Sequence, residues 1–134
     1  MSENCPCHSD QTYADCCQPV HLGKIRPSPT QLMRSRYAAY ALGNVRYILQ
    51  TERPDPPRTA KEQAAQRRSL KQFCENTQFL GLQILDEAML DDKQATVTFH
   101  ATLLQNGQDA SFMERSLFAL RNGRWVYVSA LPEK

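Results

Sequence analysis

The chain has no apolar run that approaches the roughly 18 residues needed for a membrane-spanning helix. Residues 1–5 carry neither a basic region nor an apolar core, so they do not resemble a secretory signal. We therefore expect a cytoplasmic protein with no membrane span. The hydrophobic fraction of 41% excludes a wholly disordered chain, and 134 residues suffice for one compact domain with a small appendage.

Several patterns typical of enzymes are also missing. The sequence contains no Cys-x-x-Cys redox pair, no glycine loop that would cradle a phosphate, and no Ser-His-Asp order. These absences favour a binding function over catalysis.

Charge is distributed unevenly along the chain. Residues 1–23 carry three acidic and no basic side chains, a net charge of −3. Residues 24–71 carry eleven basic and three acidic side chains, a net of +8, and residues 72–134 return to −3. The basic helical segment therefore predicts contact with RNA, a ribosome or another acidic surface, or else a solvated helix face.

Four of the five cysteines lie in the first 17 residues, spaced as C-x-C, eight residues, then C-C. They are Cys5, Cys7, Cys16 and Cys17. Disulfides are disfavoured in the cytosol, and a tight C-x-C turn presents two thiolates to one ion, so we predict a structural zinc site with one ion per chain. His8 or His21 would be the replacement if one thiolate were not a ligand. The alternatives are a redox pair, or thiols that merely lie near one another.

This segment resembles the SEC-C zinc motif, which occurs at the C-terminus of the SecA translocation motor and in many small bacterial proteins. The matching residues are Cys5, Cys7, Ser9, Tyr13, Cys16 and Cys17. His8 and Asp10 stand where the motif has glycine, a residue that readily adopts positive φ. The resemblance implies a zinc-binding module, which we place at residues 1–25, and a docking role for it.

The next segment predicts helices. Ser28 precedes Pro29 and stands three residues before Gln31, which is typical of an N-cap and a first helical turn. An apolar stripe at three- and four-residue spacing follows, and it consists of Leu32, Met33, Tyr37, Tyr40 and Ala41. Gly43 is expected to end this helix, Asn44 to cap a short second one, and residues 59–62 to open a third that extends to Cys74.

From Phe79 onward the pattern alternates as in strands. Two Asn-Gly turns, at residues 106–107 and 122–123, predict tight hairpins and thereby fix the register. Phe99 should pair with Glu114, and Phe118 with Tyr127. One face then carries the residues expected to receive the helices, namely Val97, Phe99, Ala101, Leu103, Phe112, Glu114, Phe118, Leu120, Trp125 and Tyr127. The Thr-rich opposite face is a modest candidate for a homodimer contact.

Glu114 is the exception on this otherwise apolar face. A carboxylate among aromatic side chains needs a partner or a proton, and the first helix offers Arg34 and Arg36. We predict that one of these arginines pairs with Glu114. The pair would orient helix on sheet, or it would form the polar floor of a pocket lined by Tyr37, Phe99, Trp125 and Tyr127.

Helices followed by an antiparallel meander predict an α+β fold, in which helices pack on a curved antiparallel sheet as in nuclear transport factor 2-like or cystatin-like rolls. The order of parts resembles the YchJ family of small bacterial proteins. The supporting stretches are residues 32–40, 76–82, 114–116 and 123–127, together with the cysteine motif. The resemblance implies a nuclear transport factor 2-like domain over residues 26–134. Many members carry a second SEC-C copy at the C-terminus. This sequence contains one copy, so we expect one zinc ion per chain.

Two functions follow from these observations. The first is an adaptor that docks a protein or ribosomal partner through the zinc module. The alternative is a small-ligand-binding protein, or an acid–base enzyme, that uses a pocket between helices and sheet. A closed, filled core would favour the adaptor, and a deep cavity with a convergent polar group would favour the pocket.

Overall fold

The computed structural model describes residues 4–52 and 58–131. The predicted N-terminal unit, residues 1–25, begins before the described residues, and the predicted second unit, residues 26–134, ends after them. The helical segments are a 3-10 turn at Tyr13–Asp15, α1 at Gln18–His21, α2 at Pro29–Leu42, α3 at Val45–Gln50 and α4 at Ala60–Glu75. Within the described ranges, no helix is long and apolar enough to cross a membrane.

The strands form one antiparallel sheet in the order β1-β2-β4-β5, with a short β3 that pairs with β2. Their bounds are β1 at Thr77–Asp91, β2 at Gln94–Gln105, β3 at Gln108–Asp109, β4 at Phe112–Arg121 and β5 at Arg124–Leu131. The pairing of β1 with β2 shifts register at three places, and such bulges bend a strand. The α+β architecture expected from the sequence is confirmed.

The predicted helix boundaries are confirmed by the caps. The Ser28 side chain accepts a hydrogen bond from the amide of Gln31, and the Gln31 side chain accepts one from the amide of Ser28. Gly43 ends α2 at φ 73°, a left-handed conformation that glycine adopts without a Cβ penalty. Asn44 caps α3. The side chain of Thr59 begins α4 with the same reciprocal pattern.

The predicted sheet register is confirmed as well. Phe99 pairs with Glu114 across β2 and β4, and Phe118 pairs with Tyr127 across β4 and β5. Both hairpins turn through Asn-Gly pairs with positive φ at each residue. The inward face therefore carries the residues expected of it. On the opposite face, Thr96 and Val126 are also buried.

Helix α2 provides one side of the core and lies against β1, β2 and β5. It buries Leu32, Met33, Tyr37 and Ala38. The facing sheet residues in the same cluster are Leu82, Val97, Phe99, Ala101, Leu103 and Phe118. A second, smaller cluster joins Val20 of α1 to α2 and α3.

The cysteine segment packs directly on this core. Cys5, Cys7 and Cys17 are buried in the same cluster as the α2 and sheet residues. About twenty residues bury too little apolar surface to fold alone, so the segment relies on this contact for its structure, and a metal held by its cysteines would add to it.

Candidate functional site

The four N-terminal cysteines converge at one point. Cys5 and Cys7 flank Pro6, and the loop from Cys5 closes through a hydrogen bond from its amide to the Gln11 carbonyl, 2.7 Å long. A 3-10 turn then returns the chain to Cys16 and Cys17. The four sulfur atoms all lie within 4.8 Å of one another. Together with the SEC-C motif, this cluster indicates metal binding.

The spacing of the sulfur atoms fits a tetrahedral ion. Zinc–sulfur bonds of about 2.3 Å at tetrahedral angles place the sulfurs about 3.8 Å apart. Cys16 Sγ lies 3.6 Å from Cys7 Sγ and 3.8 Å from Cys17 Sγ. All five cysteines are free thiols, so no disulfide competes for these atoms. The residues present therefore suit a metal that takes four thiolates.

The protonation of the four thiols depends on whether a cation lies between them. A hydrogen bond from Cys17 lowers the pKa of Cys7 to about 4, and the same bond raises the pKa of Cys17. Burial raises the pKa of Cys5 to about 11. Without an ion, hydrogen bonds from neighbouring protonated thiols therefore stabilise one thiolate. Four thiolates can coexist here only around a positive ion.

Two side chains support the sulfur cluster from outside. Ser9 Oγ lies 3.2 Å from Cys16 Sγ. Arg34 Nη1 donates to the Cys7 carbonyl oxygen at 3.4 Å and lies 3.9 Å from Cys7 Sγ. The guanidinium offsets part of the thiolate charge. The prediction that Arg34 could face Glu114 is therefore wrong, because Arg34 is turned toward the cysteine cluster.

Both histidines of the segment are engaged elsewhere. His21 Nε2 donates to the Ser35 carbonyl at 2.7 Å, and Nδ1 accepts from the Tyr13 hydroxyl at 2.7 Å. Burial lowers the pKa of His21, in keeping with this neutral tautomer. His8 Nε2 donates to the Phe79 carbonyl at 3.2 Å. In the described residues, the group of ligand atoms consists of the four cysteines.

The positions where the SEC-C motif has glycine need positive φ. His8 has φ 63° and Asp10 has φ 69°. Both residues adopt the left-handed conformation that glycine would take more easily, so the substitutions leave the turn in place and add local strain.

A cavity of about 390 Å³ opens between the helices and the inward face of the sheet. Six aromatic side chains form much of its wall, namely Tyr37, Tyr40, Phe73, Phe79, Phe99 and Phe112. Polar groups meet at one side of it, namely Arg36, Glu52, Glu114, Ser116 and Tyr127. The volume lies within the range of small-molecule sites.

Arg36 is paired, but not with the predicted partner. Its Nη2 lies 3.5 Å from Glu52 Oε1, while its Nη1 donates to the Ile48 carbonyl at 3.0 Å and to Thr51 Oγ1 at 2.7 Å. The last turn of α3 supplies these acceptors at the negative end of its dipole. The predicted ion pair with Glu114 is therefore wrong, because the end of α3 offers Arg36 more acceptors.

Glu114 instead accepts hydrogen bonds from hydroxyl groups. Ser116 Oγ donates to Glu114 Oε2, and the Tyr127 hydroxyl donates to the same oxygen at 3.3 Å. Burial, followed by the negative charge of Glu114, raises the pKa of Tyr127. Arg36 lies 4.7 Å above the ring of Tyr127, so it contacts the partner of Glu114 rather than Glu114 itself.

Five of the seven predicted pocket residues line this cavity, and Arg34 and Trp125 do not. Trp125 pairs with Leu120 beside the second hairpin turn, far along β5 from Glu114, where it packs half-buried against the core. Glu52 is a lining residue that no sequence pattern places on the inward side. Tyr40 lines the cavity as well, and its helical spacing from Tyr37, which puts both on one stripe, is the signal that could have placed it there.

This geometry defines a four-cysteine module packed on an α+β roll of the nuclear transport factor 2-like class. The family described as "YchJ, middle NTF2-like domain" matches residues 28–130, and the SEC-C motif matches residues 1–19. The chain belongs to the YchJ family, which confirms the resemblance found in the sequence.

Individual relatives agree. A UPF0225 protein of Haemophilus influenzae is 40% identical over 127 residues, which cover 94% of this chain and 76% of that protein. The UPF0225 protein YchJ of Shigella dysenteriae is 35% identical over 130 residues, covering 96% of this chain and 82% of that protein. The solution structure of a SEC-C motif containing protein from Rhodopseudomonas palustris has a TM-score of 0.81 at 35% identity, covering 98% of this chain and all of the other.

Proposed function

We propose that this protein binds a small organic ligand in the cavity of its roll, and that a structural zinc ion held by Cys5, Cys7, Cys16 and Cys17 stabilises the cavity wall. The observation that carries the proposal is the cavity itself. Its volume of about 390 Å³ suits a small molecule, and charged and hydroxyl groups converge beside its aromatic side chains. This is the arrangement that distinguishes the ligand-binding hypothesis from the adaptor hypothesis.

The zinc assignment is supported by the donor set. Four thiolates fill a tetrahedral shell, which is typical of structural rather than catalytic zinc. Elemental analysis of the purified protein should give one zinc per chain. Cys7→Ser should lose it, whereas Cys74→Ser should retain it, because Cys74 lies outside the cluster. Iron or no metal in place of zinc would contradict the assignment.

The ligand-binding assignment can be tested by filling the cavity. Ala101 is buried on β2 and lines the cavity, whereas the adjacent Thr102 is exposed and does not line it. We expect 2-phenylethanol to shift the amide resonances of cavity residues in the unmodified protein and in Thr102→Leu, but not in Ala101→Leu. Equal shifts in both variants would contradict binding in this cavity.

The adaptor function is the second candidate. It is supported by the basic side chains of α4, all of which are exposed: Lys61, Arg67, Arg68 and Lys71. An acidic partner such as ribosomal RNA would fit such a surface. If this function holds, the protein should co-sediment with ribosomes at low salt. Changing these four residues to glutamine should abolish co-sedimentation, while Arg46→Gln on α3 should not.

A further inference from the structure

The charged groups of the cavity do not balance. Arg36 is 5% exposed, and its charge is met by Glu52 at 3.5 Å and by acceptors at the end of α3. Glu114 has no cation within ion-pairing distance in the described residues. The cavity therefore carries one carboxylate whose charge is met only by neutral hydroxyl groups.

The hydrogen bonds of Glu114 are also one-sided. Ser116 and Tyr127 both donate to Oε2, and Oε1 receives no hydrogen bond from the described part of the chain. A carboxylate has room for about four donors, so Glu114, which lines the cavity, retains acceptor capacity at Oε1. Arg36 does not donate to it, because the guanidinium is turned toward Glu52, Ile48 and Thr51 and donates to these three residues.

The aromatic side chains of the cavity favour a cation on an apolar body. Tyr40, Phe73 and Phe79 form a cluster with ring centroids 5.7 to 6.4 Å apart, and Phe99 and Phe112 form another pair at 5.7 Å. The faces of aromatic rings are electron-rich and attract cations, and their apolar area suits a flat hydrocarbon group.

We propose that the cavity selects a small organic amine, whose ammonium group donates to Glu114 Oε1 while its apolar or aromatic body rests against the ring cluster. This inference rests on the proposed ligand-binding function and adds the chemical class of the ligand. An organic anion would face Glu114 without a free counter-charge. A neutral ligand would leave the carboxylate without an ionic partner.

The experiment compares three probes with the same phenyl body. Binding of 2-phenylethylammonium, 2-phenylethanol and phenylacetate is measured by isothermal titration and amide chemical shifts at pH 7 and low salt. We expect the amine to bind about tenfold or more tightly than the alcohol, because both can donate to the carboxylate but only the ammonium brings a positive charge to it. Phenylacetate should bind more weakly than the alcohol. Raising the salt concentration should weaken binding of the amine alone.

Glu114→Gln keeps the shape of the side chain and removes its charge. In this variant the amine should fall to the affinity of the alcohol, while the alcohol should change by less than about twofold. Glu75→Gln, at the exposed end of α4, removes a charge that does not line the cavity and should change nothing.

The outcomes separate the two proposals. If no probe binds, both the ligand-binding function and the amine class are overturned. If the alcohol binds as well as the amine, or if the preference survives in Glu114→Gln, ligand binding stands and the amine class is wrong. The salt dependence in the unmodified protein decides the question even if Glu114→Gln does not fold.

Discussion

Removing the metal should loosen the whole roll and not only the cysteine segment. Three hydrogen bonds cross from this segment to α2 and β1. His21 donates to the Ser35 carbonyl, His8 donates to the Phe79 carbonyl, and Arg34 donates to the Cys7 carbonyl. At a net contribution of about 1 kcal/mol each, their loss destabilises the folded state by about 3 kcal/mol. Exposure of the buried thiols and of Val20 to water should destabilise the folded state further.

For a chain of this size, a loss of about 3 kcal/mol corresponds to a fall in melting temperature of roughly 10–15 °C. The assay is thermal unfolding, followed by circular dichroism and by the fluorescence of Trp125, the single tryptophan, before and after chelation of the metal. The cysteine segment should lose its structure first, because metal binding supplies its folding energy.

Cys7→Ser should reproduce the effect of chelation, since Cys7 is fully buried within the cluster. Cys74→Ser serves as the matched control and should melt within about 3 °C of the unmodified protein, because this half-buried thiol belongs to no metal-ligand group in the described residues. A metal-free protein that melts at the same temperature as the metal-bound form would refute the reasoning, since the three crossing hydrogen bonds would then not depend on the metal.

Three further results are expected. Arg34→Gln should weaken metal affinity by about 10- to 100-fold without changing the stoichiometry, because the loss of a supporting donor has this effect at metal sites. The control Arg46→Gln should leave the affinity unchanged. Equal affinities of the two variants in competition with a chelator would contradict this prediction. Ser35→Ala should destabilise the fold by about 1–3 kcal/mol in urea unfolding, because the buried Tyr47 hydroxyl loses its acceptor at 2.7 Å; a neutral effect would contradict this. Burial raises the pKa of Tyr37 to about 12, so folding favours the neutral phenol. The stability that this provides is complete below about pH 10 and is lost as the pH rises through about 12. In a plot of the urea unfolding midpoint against pH, Tyr37→Phe should therefore reduce the fall at alkaline pH.

The sheet was predictable because its register follows from local chemistry. Asn-Gly turns admit positive φ at both residues and fix a two-residue loop, so each pair along the strands follows by counting. The pairing of Phe99 with Glu114, and hence the placement of a carboxylate on the inward face, needed no tertiary information. The helix ends were predictable from local sequence as well, because Ser28 caps α2 through its side chain and Gly43 ends it through its backbone conformation.

The partners of the arginines could not be predicted in this way. Arg34 and Arg36 are two residues apart on α2, and this spacing turns them toward different faces of the helix. One faces the cysteine cluster, and the other faces the end of α3. Which of them meets which acceptor depends on how α3 folds back onto α2. Glu52 follows α3 directly and reaches Arg36 only because of that arrangement.

The cysteine cluster and the cavity share a wall, although the sequence suggested two separate units. The ring of His8 meets Tyr37 edge-on at 5.8 Å, and Tyr37 meets Phe79 at 5.6 Å. Tyr37 and Phe79 both line the cavity, and the Phe79 carbonyl accepts the hydrogen bond from His8. The loop that the metal would close therefore holds two of the cavity's aromatic side chains in place. A structural metal at this position would act on the proposed ligand site through packing, without contacting the ligand itself.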